Sequence, residues 1–268
     1  MPETDPRPLL SVRNLDVAIA SRSILCDVSF EILRGGIVGL FGESGCGKTT
    51  LALALSNLLP ERYRVSGDIE FDGRDIRRCS AREMQRIRGA RIALVMQDPL
   101  LALNPVLKAG DQVAEAIRAH ARPSAPRIRE QVEAAFRSAG LEPSSRIWNA
   151  YPHEFSGGQR QRVLLAQALA CRPSLVIADE PFSALDAPSA LALSALFREI
   201  RERLSTSLLL ISHSPGILAN SADSILVMSG GRIVERGSPR EVFERPRHPE
   251  TATLLRALGT AGRKPLTP

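Results

Sequence analysis

The segment Gly42-Glu43-Ser44-Gly45-Cys46-Gly47-Lys48-Thr49 constrains this chain more than any other feature, because it fits G-x-x-x-x-G-K-[ST] in the setting where that pattern has a physical purpose. The apolar run Ile37-Val38-Gly39-Leu40-Phe41 before it reads as a buried strand. Thr50 opens a helical stretch, TLALALSNLL, that Pro60 stops. Glycines let the backbone curl until successive N–H groups face phosphate oxygens, and the following helix adds about half a positive charge at its N-terminus. In such a loop the lysine, here Lys48, reaches the β- and γ-phosphates, and the hydroxyl of Thr49 ligates Mg²⁺. The sequence therefore predicts nucleotide binding by residues 42–50 on a strand–loop–helix unit of a parallel α/β fold.

The rest of the chain is organised around that unit. Residues 9–41 carry short β patterns, VRNLDVAI and DVSFEI among them, and residues 67–73 and 91–96 predict further strands. Between 98 and 155 the character changes. Helical patterns over 111–120 and 127–139, separated by the breaker-rich RPSAP, predict a helical lobe inserted into the α/β core. After Ser156 the alternation resumes with helix 158–170, strand 175–179, helix 189–204 and strands 207–211, 225–228 and 232–235. A helical tail is expected over 239–258, and the last ten residues are expected to fray.

The strand Leu175-Val176-Ile177-Ala178 ends in Asp179-Glu180. A parallel strand buried on both faces is continuously apolar, and ligands sit at its carboxyl end. An acidic pair after such a run is common by itself; downstream of a phosphate loop it gains a role. Asp179 is placed to hold the Mg²⁺ shell, and Glu180 to activate the water that attacks the γ-phosphorus.

Composition excludes several classes. The 268 residues leave room for one large domain with an inserted lobe, and 44% hydrophobic content supports a real core. No apolar run approaches the roughly 18–20 residues that span a bilayer, and the N-terminus has neither a basic n-region nor an apolar h-region, so an intracellular protein is expected. Cys26, Cys46, Cys79 and Cys171 stand far apart, which supports neither a zinc site nor a disulfide framework. The net charge of +6 comes from dispersed arginines. With eight phenylalanines, two tyrosines and one tryptophan to stack bases, no nucleic-acid partner is expected.

A second anion-recognising helix start stands at Phe155-Ser156-Gly157-Gly158-Gln159. Two such starts in one chain suggest two chains sharing two nucleotides. This segment, through Tyr151-Pro152-His153-Glu154 before it and Arg160-Gln161-Arg162-Val163 after it, resembles the LSGGQ signature of ABC transporter ATPases, with Phe155 in place of the leucine. The resemblance covers residues 9–258. It implies a P-loop NTPase core of the ABC ATPase type (residues 9–97 and 156–238), an N-terminal antiparallel β subdomain, an inserted helical subdomain (98–155) and a family tail (239–258). It further implies that Gln97 is the glutamine sensing Mg²⁺ and the transmembrane partner, that Ser183-Ala184-Leu185-Asp186 crosses a dimer interface, and that His213 contacts the γ-phosphate.

Catalytic roles thus fall to Glu180, His213 and Gln97. Metal binding falls to Thr49, Gln97 and Asp179. Cofactor binding falls to Gly42, Glu43, Ser44, Gly45, Cys46, Gly47, Lys48, Thr49 and Thr50, with Ser156, Gly157, Gly158, Gln159 and Asp186 of a partner. Gln97-Asp98-Pro99, Leu103-Asn104-Pro105 and the tail Arg245-Pro246-Arg247-His248-Pro249-Glu250-Thr251 with Leu254-Leu255 are similar to the oligopeptide, dipeptide and nickel importer ATPases. That likeness implies MgATP hydrolysis, a second ATPase subunit (the same chain or a related one), separate permease subunits, an indirect solute-binding protein, and a place on the cytoplasmic face of the cell membrane. An accessory ATPase of a soluble complex, such as carbon–phosphorus lyase, is the alternative. Three departures stand out. Ile19 occupies the position of the usual adenine-stacking aromatic, Ser214 follows His213 where an acid is usual, and no cysteine follows Cys171, so no iron–sulfur centre is expected.

Overall fold

The computed structural model describes residues 7–183 and 185–259. Ala184 and the expected frayed end beyond Gly259 lie outside the described residues. Strands β1 (Leu10–Ile19) and β2 (Arg22–Ile32) form an antiparallel pair, and β3 (Ile37–Gly42) runs straight into α1 (Lys48–Leu55). Next come β4 (Tyr63–Phe71), β5 (Arg74–Asp75), α2 (Ala81–Ile87) and β6 (Ile92–Val95). Four helices follow without an intervening strand: α3 (Pro99–Ala102), α4 (Ala109–Arg118), α5 (Ala125–Ser138) and α6 (Ser145–Asn149). The chain then alternates through α7 (Gly157–Leu169), β7 (Leu175–Asp179), α8 (Ala187–Leu204), β8 (Ser207–Ser212), α9 (Pro215–Ser221), β9 (Ser224–Ser229) and β10 (Arg232–Gly237). It ends in α10 (Pro239–Glu244) and α11 (Pro249–Ala257).

Two sheets result. One is antiparallel, in the order β2-β1-β4-β5; the other runs β10-β9-β3-β8-β7-β6, with β9, β3, β8, β7 and β6 mutually parallel and β10 antiparallel at the edge. β3, β7 and β8 are buried at every residue, which explains their unbroken apolar character. Strand parity divides the core in two. Val38, Leu40, Leu175, Ile177, Leu209 and Ile211 face α1 and the antiparallel sheet, whereas Ile37, Phe41, Val176, Ala178, Leu208 and Leu210 face the helices of the other layer. Full burial of side chains of this size contributes about 1.5–3 kcal/mol each, so the central sheet is a rigid platform for whatever stands at its carboxyl edge.

The structure departs from the sequence expectations in several places, among them helix α9, which was not expected between the strands at 207–211 and 225–228. The helix after the phosphate loop stops at Leu55 rather than running to Pro60, because Asn57 takes a left-handed backbone, φ 51°. The strand expected over 67–73 begins earlier, at Tyr63, where it pairs with Ile19. The tail is two helices, broken at Arg245 ahead of Pro246 and held by Glu235, whose carboxylate accepts from the Arg247 and His248 amides at 2.8 and 3.1 Å. Helix α2 was not expected, although Ser80 and Glu83 close a reciprocal capping box at its start.

Candidate functional site

The phosphate loop begins where β3 ends. A side chain at Gly42 would meet the Met228 carbonyl oxygen at 2.3 Å, and at Gly47, φ +111°, it would meet Leu25 Cδ2 at 2.7 Å. Glycine is therefore dictated at both positions by space, and at Gly47 by backbone as well. Glu43, Ser44 and Gly45 are exposed, Cys46 and Thr50 half-buried. Gly47 caps α1 without a side-chain bond, so the first-turn amides of that helix are left for another acceptor. Lys48 is 6% exposed, and its Nζ donates to the carbonyls of Gly42 and Glu43 at 2.8 and 2.7 Å. The ammonium is thus folded onto the loop it serves. Burial pushes the Cys46 thiol up, against the pull of the Lys48 charge.

From β7 comes Asp179, 1% exposed, whose Oδ2 accepts from Thr49 Oγ1 at 2.6 Å. Its other oxygen, Oδ1, is buried with no hydrogen-bond partner. Burial raises the Asp179 carboxyl above the ordinary carboxylate range, opposed by the Thr49 hydroxyl and the Lys48 charge. An orphaned carboxylate oxygen beside a hydroxyl is a hard oxygen donor set, and it fits Mg²⁺, which is held by one or two such ligands plus substrate phosphates.

Glu180 follows in a left-handed conformation, φ 49°. Its amide donates to Ile211 O at 2.9 Å, and its carbonyl accepts from the amide and hydroxyl of Ser183 at 3.2 and 3.0 Å. Its Oε2 lies 2.9 Å from Nδ1 of His213, the residue after β8. The Glu180 side chain is 11% exposed and that of His213 55%, so the pair bridges core and surface. Lys48, Thr49, Asp179, Glu180 and His213 thereby meet at the carboxyl edge of β3, β7 and β8.

The remaining expected residues stand apart. Gln97 is exposed just past β6 and before Asp98, which caps α3, and it makes no hydrogen bond to Thr49 or Asp179. Ser156 and Gln159 satisfy each other at the start of α7, Gln159 N donating to Ser156 Oγ at 3.3 Å and Ser156 N to Gln159 Oε1 at 3.1 Å. Gly157 and Gly158 are half-buried there, and a side chain at Gly158 would have Leu185 as its neighbour at 3.9 Å. Asp186 caps α8 through the Ser189 amide at 2.9 Å, and the Ser189 hydroxyl together with that amide lowers its carboxyl. α7 packs on α3, α4, α5 and β6, whereas α1 packs on β2 and β7. One chain thus presents two separate constellations, residues 42–50 with 179, 180 and 213, and residues 156–159 with 185 and 186.

Sequence reasoning gave no role to the two hydrogen bonds that Ser183 donates to the Glu180 carbonyl, or to Ser212, whose Oγ accepts from Ser214 N at 3.1 Å and shapes the turn at His213. Hydroxyls placed two or three residues from a functional side chain were the available signal.

Comparison with known proteins gives a consistent result. Residues 25–183 match the family described as ABC transporter. The dipeptide transport ATP-binding protein DppD of Bacillus subtilis is 39% identical over 254 residues, covering 92% of this chain and 76% of that protein. The oligopeptide transport ATP-binding protein OppD of Salmonella typhimurium is 37% identical over 260 residues, covering 94% and 78%. Among solved structures, cbiO1 from Clostridium perfringens, described as part of the ABC transporter complex cbiONQ, superposes with a TM-score of 0.78 at 26% identity, covering 93% of this chain and 95% of that one.

Proposed function

The chain belongs to the ABC transporter family and is an ATPase whose hydrolysis is coupled to transport, and from that premise we propose that it powers the import of peptides. The relatives named for dipeptide and oligopeptide transport, aligned over most of both chains, support peptides over nickel as the solute class. The observation that carries the catalytic half is the pairing of Thr49 with Asp179 and of Glu180 with His213 at adjacent strand ends.

We assign the site residues as follows. Loop amides and Lys48 hold the phosphates; to do so the Lys48 ammonium leaves the carbonyls of Gly42 and Glu43, a short swing within the loop. Thr49 and Asp179 hold Mg²⁺, which when bound neutralises charge on the phosphate oxygens. Glu180 takes the proton of the attacking water on Oε1 or Oε2, and His213, bonded to the same carboxylate, steadies the γ-phosphate and the Glu180 rotamer. Gln97 completes the site from the β6 end. Ser156, Gly157, Gly158, Gln159 and Asp186 serve the nucleotide of a second subunit, which accounts for their separation from residues 42–50.

No helix among the described residues is long and apolar enough to cross a membrane. The permease is assigned to other chains because the relatives are named as the ATP-binding proteins of their transport systems. Its docking surface is assigned to α3 and the residues around it. Leu100, Leu101 and Val106, within ten residues of Gln97 in the chain, are 57%, 87% and 75% exposed, an apolar exposure that water alone does not favour. A membrane-peripheral location at the cytoplasmic face follows from that assignment.

The test is uptake. Cells lacking this chain, complemented with the wild type or with Lys48→Ala, are given labelled dipeptide, and affinity-purified chain is probed for co-purifying integral membrane subunits. Restored uptake by the wild type alone, with permeases attached, is the expected result. Unchanged dipeptide uptake in the deletion, or recovery of a purely soluble complex, would overturn the assignment.

A further inference from the structure

A triphosphate gripped by residues 42–50 leaves its purine outside the loop, where a flat ring gives the best support: stacking on an aromatic side chain is sequence-tolerant and strong. The direction outward from the loop is traceable through the β-sheet register. Leu25 lies against Gly47, the last glycine of the loop. Leu25 pairs with Val17 across β1 and β2, and Val17 pairs on its other side with Val65 of β4. Two residues further along β1 the pairs are Ile19 with Arg22 and Ile19 with Tyr63.

Val17, Ile19, Val65 and Tyr63 therefore share one sheet face. Tyr63 stands roughly 7 Å along and, two strands over from Leu25, about 9.6 Å across, or about 12 Å in all, which is within the length of an extended nucleoside triphosphate. Its ring is half-buried against the core shared by α1 and the antiparallel sheet. The guanidinium of Arg62 sits over it, 5.8 Å from the centroid, which marks an accessible π surface. The other rings of this sheet, Phe30 and Phe71, are each 3% exposed and belong to the core.

We propose that Tyr63 is the stacking platform for the nucleotide base, supplying from β4 the ring that Ile19 does not supply from β1. The base takes the ring face now covered by Arg62, and Ile19 packs against its edge. This rests on the phosphate-loop assignment above, and the experiment separates the two. Full-length wild type, Tyr63→Phe and Tyr63→Leu are titrated with MgATP and, in parallel, with magnesium tripolyphosphate, which has phosphates and no base. Leucine keeps the apolar bulk and removes the ring. The expected result is a loss of ATP affinity of about ten-fold or more in Tyr63→Leu, less than two-fold in Tyr63→Phe, and no change in tripolyphosphate affinity across the series. In Tyr63→Trp, ATP quenches the new fluorescence and tripolyphosphate does not.

ATP affinity within two-fold of wild type in Tyr63→Leu, or an equal loss for tripolyphosphate, would overturn the proposal. A wild type that binds neither probe would overturn the loop assignment, and this one with it.

Discussion

Replacing Glu180 by glutamine separates chemistry from folding in this site. The two side chains have the same shape, and the left-handed backbone at residue 180 costs the same for either, since neither is glycine. Ser183 bonds the carbonyl of residue 180, not its side chain, so that clamp survives. The one contact that changes is the 2.9 Å pair with His213, which passes from charge-assisted to neutral. With His213 more than half exposed, the loss is screened and amounts to about 1 kcal/mol or less. The general-base contribution is far larger: a factor of about 10²–10⁴ in rate, equivalent to about 2.7–5.5 kcal/mol in activation free energy. Phosphate release under saturating MgATP should fall by that factor, while ATP affinity stays within a few-fold and thermal unfolding within a few degrees. The bound nucleotide should also hold two subunits together, visible as a shift to dimer in size-exclusion chromatography with MgATP. Turnover within ten-fold of wild type, with binding intact, would refute the assignment of Glu180 as base.

Other perturbations test the surrounding parts. Because burial raises the folded-state pKa of Asp179 above its unfolded value, its contribution to stability is present below the unfolded pKa and lost as pH rises through the folded one. Asp179→Asn should therefore raise the melting temperature of nucleotide-free protein at neutral pH, and the gain should shrink in acid; the Mg²⁺-dependent stabilisation by ATP should vanish. Gly47→Ala forces a Cβ to 2.7 Å from Leu25 Cδ2 at φ +111°, and should cost about 1–3 kcal/mol by denaturant titration and abolish ATP binding. Leu101→Asp with Val106→Asp, at 87% and 75% exposed positions, should leave ATPase activity of the isolated chain unchanged and abolish co-purification of membrane subunits.

What the sequence made legible follows from how each feature is encoded. β3, β7 and β8 are continuous apolar runs because both faces are covered, so burial and pattern coincide. Lys48 and Thr49 are legible because the loop chemistry tolerates few other residues. Helix α2 has a single buried residue, Met84, and so no apolar periodicity; its signal was the Ser80–Glu83 box alone. The break between α10 and α11 was written in Arg245-Pro246, whose pre-proline restriction is local, but the clamp by Glu235 joins residues ten or more positions apart. The ring at Tyr63 was invisible for the same reason: its neighbour Ile19 is brought to it by strand register, not by spacing in the chain.

Two adjacent carboxylates meet different partners, Thr49 and His213, because of strand parity and one dihedral angle. Leu175 and Ile177 face the core that holds α1, so Asp179, two residues on, faces it too and arrives beneath Thr49. Continued as a strand, the chain would turn Glu180 to the opposite layer, with Val176 and Ala178, away from the loop. A left-handed turn at Glu180 cancels that alternation and brings its carboxylate to His213. The turn costs about 1–2 kcal/mol for a residue with a Cβ, and the two Ser183 bonds to the Glu180 carbonyl, with the Ile211 bond to its amide, hold it in place. A strained residue fixed by three hydrogen bonds at the end of a fully buried strand is hard to account for by stability alone. It is what the proposed assignment, Glu180 as base beside Asp179 as metal ligand, requires.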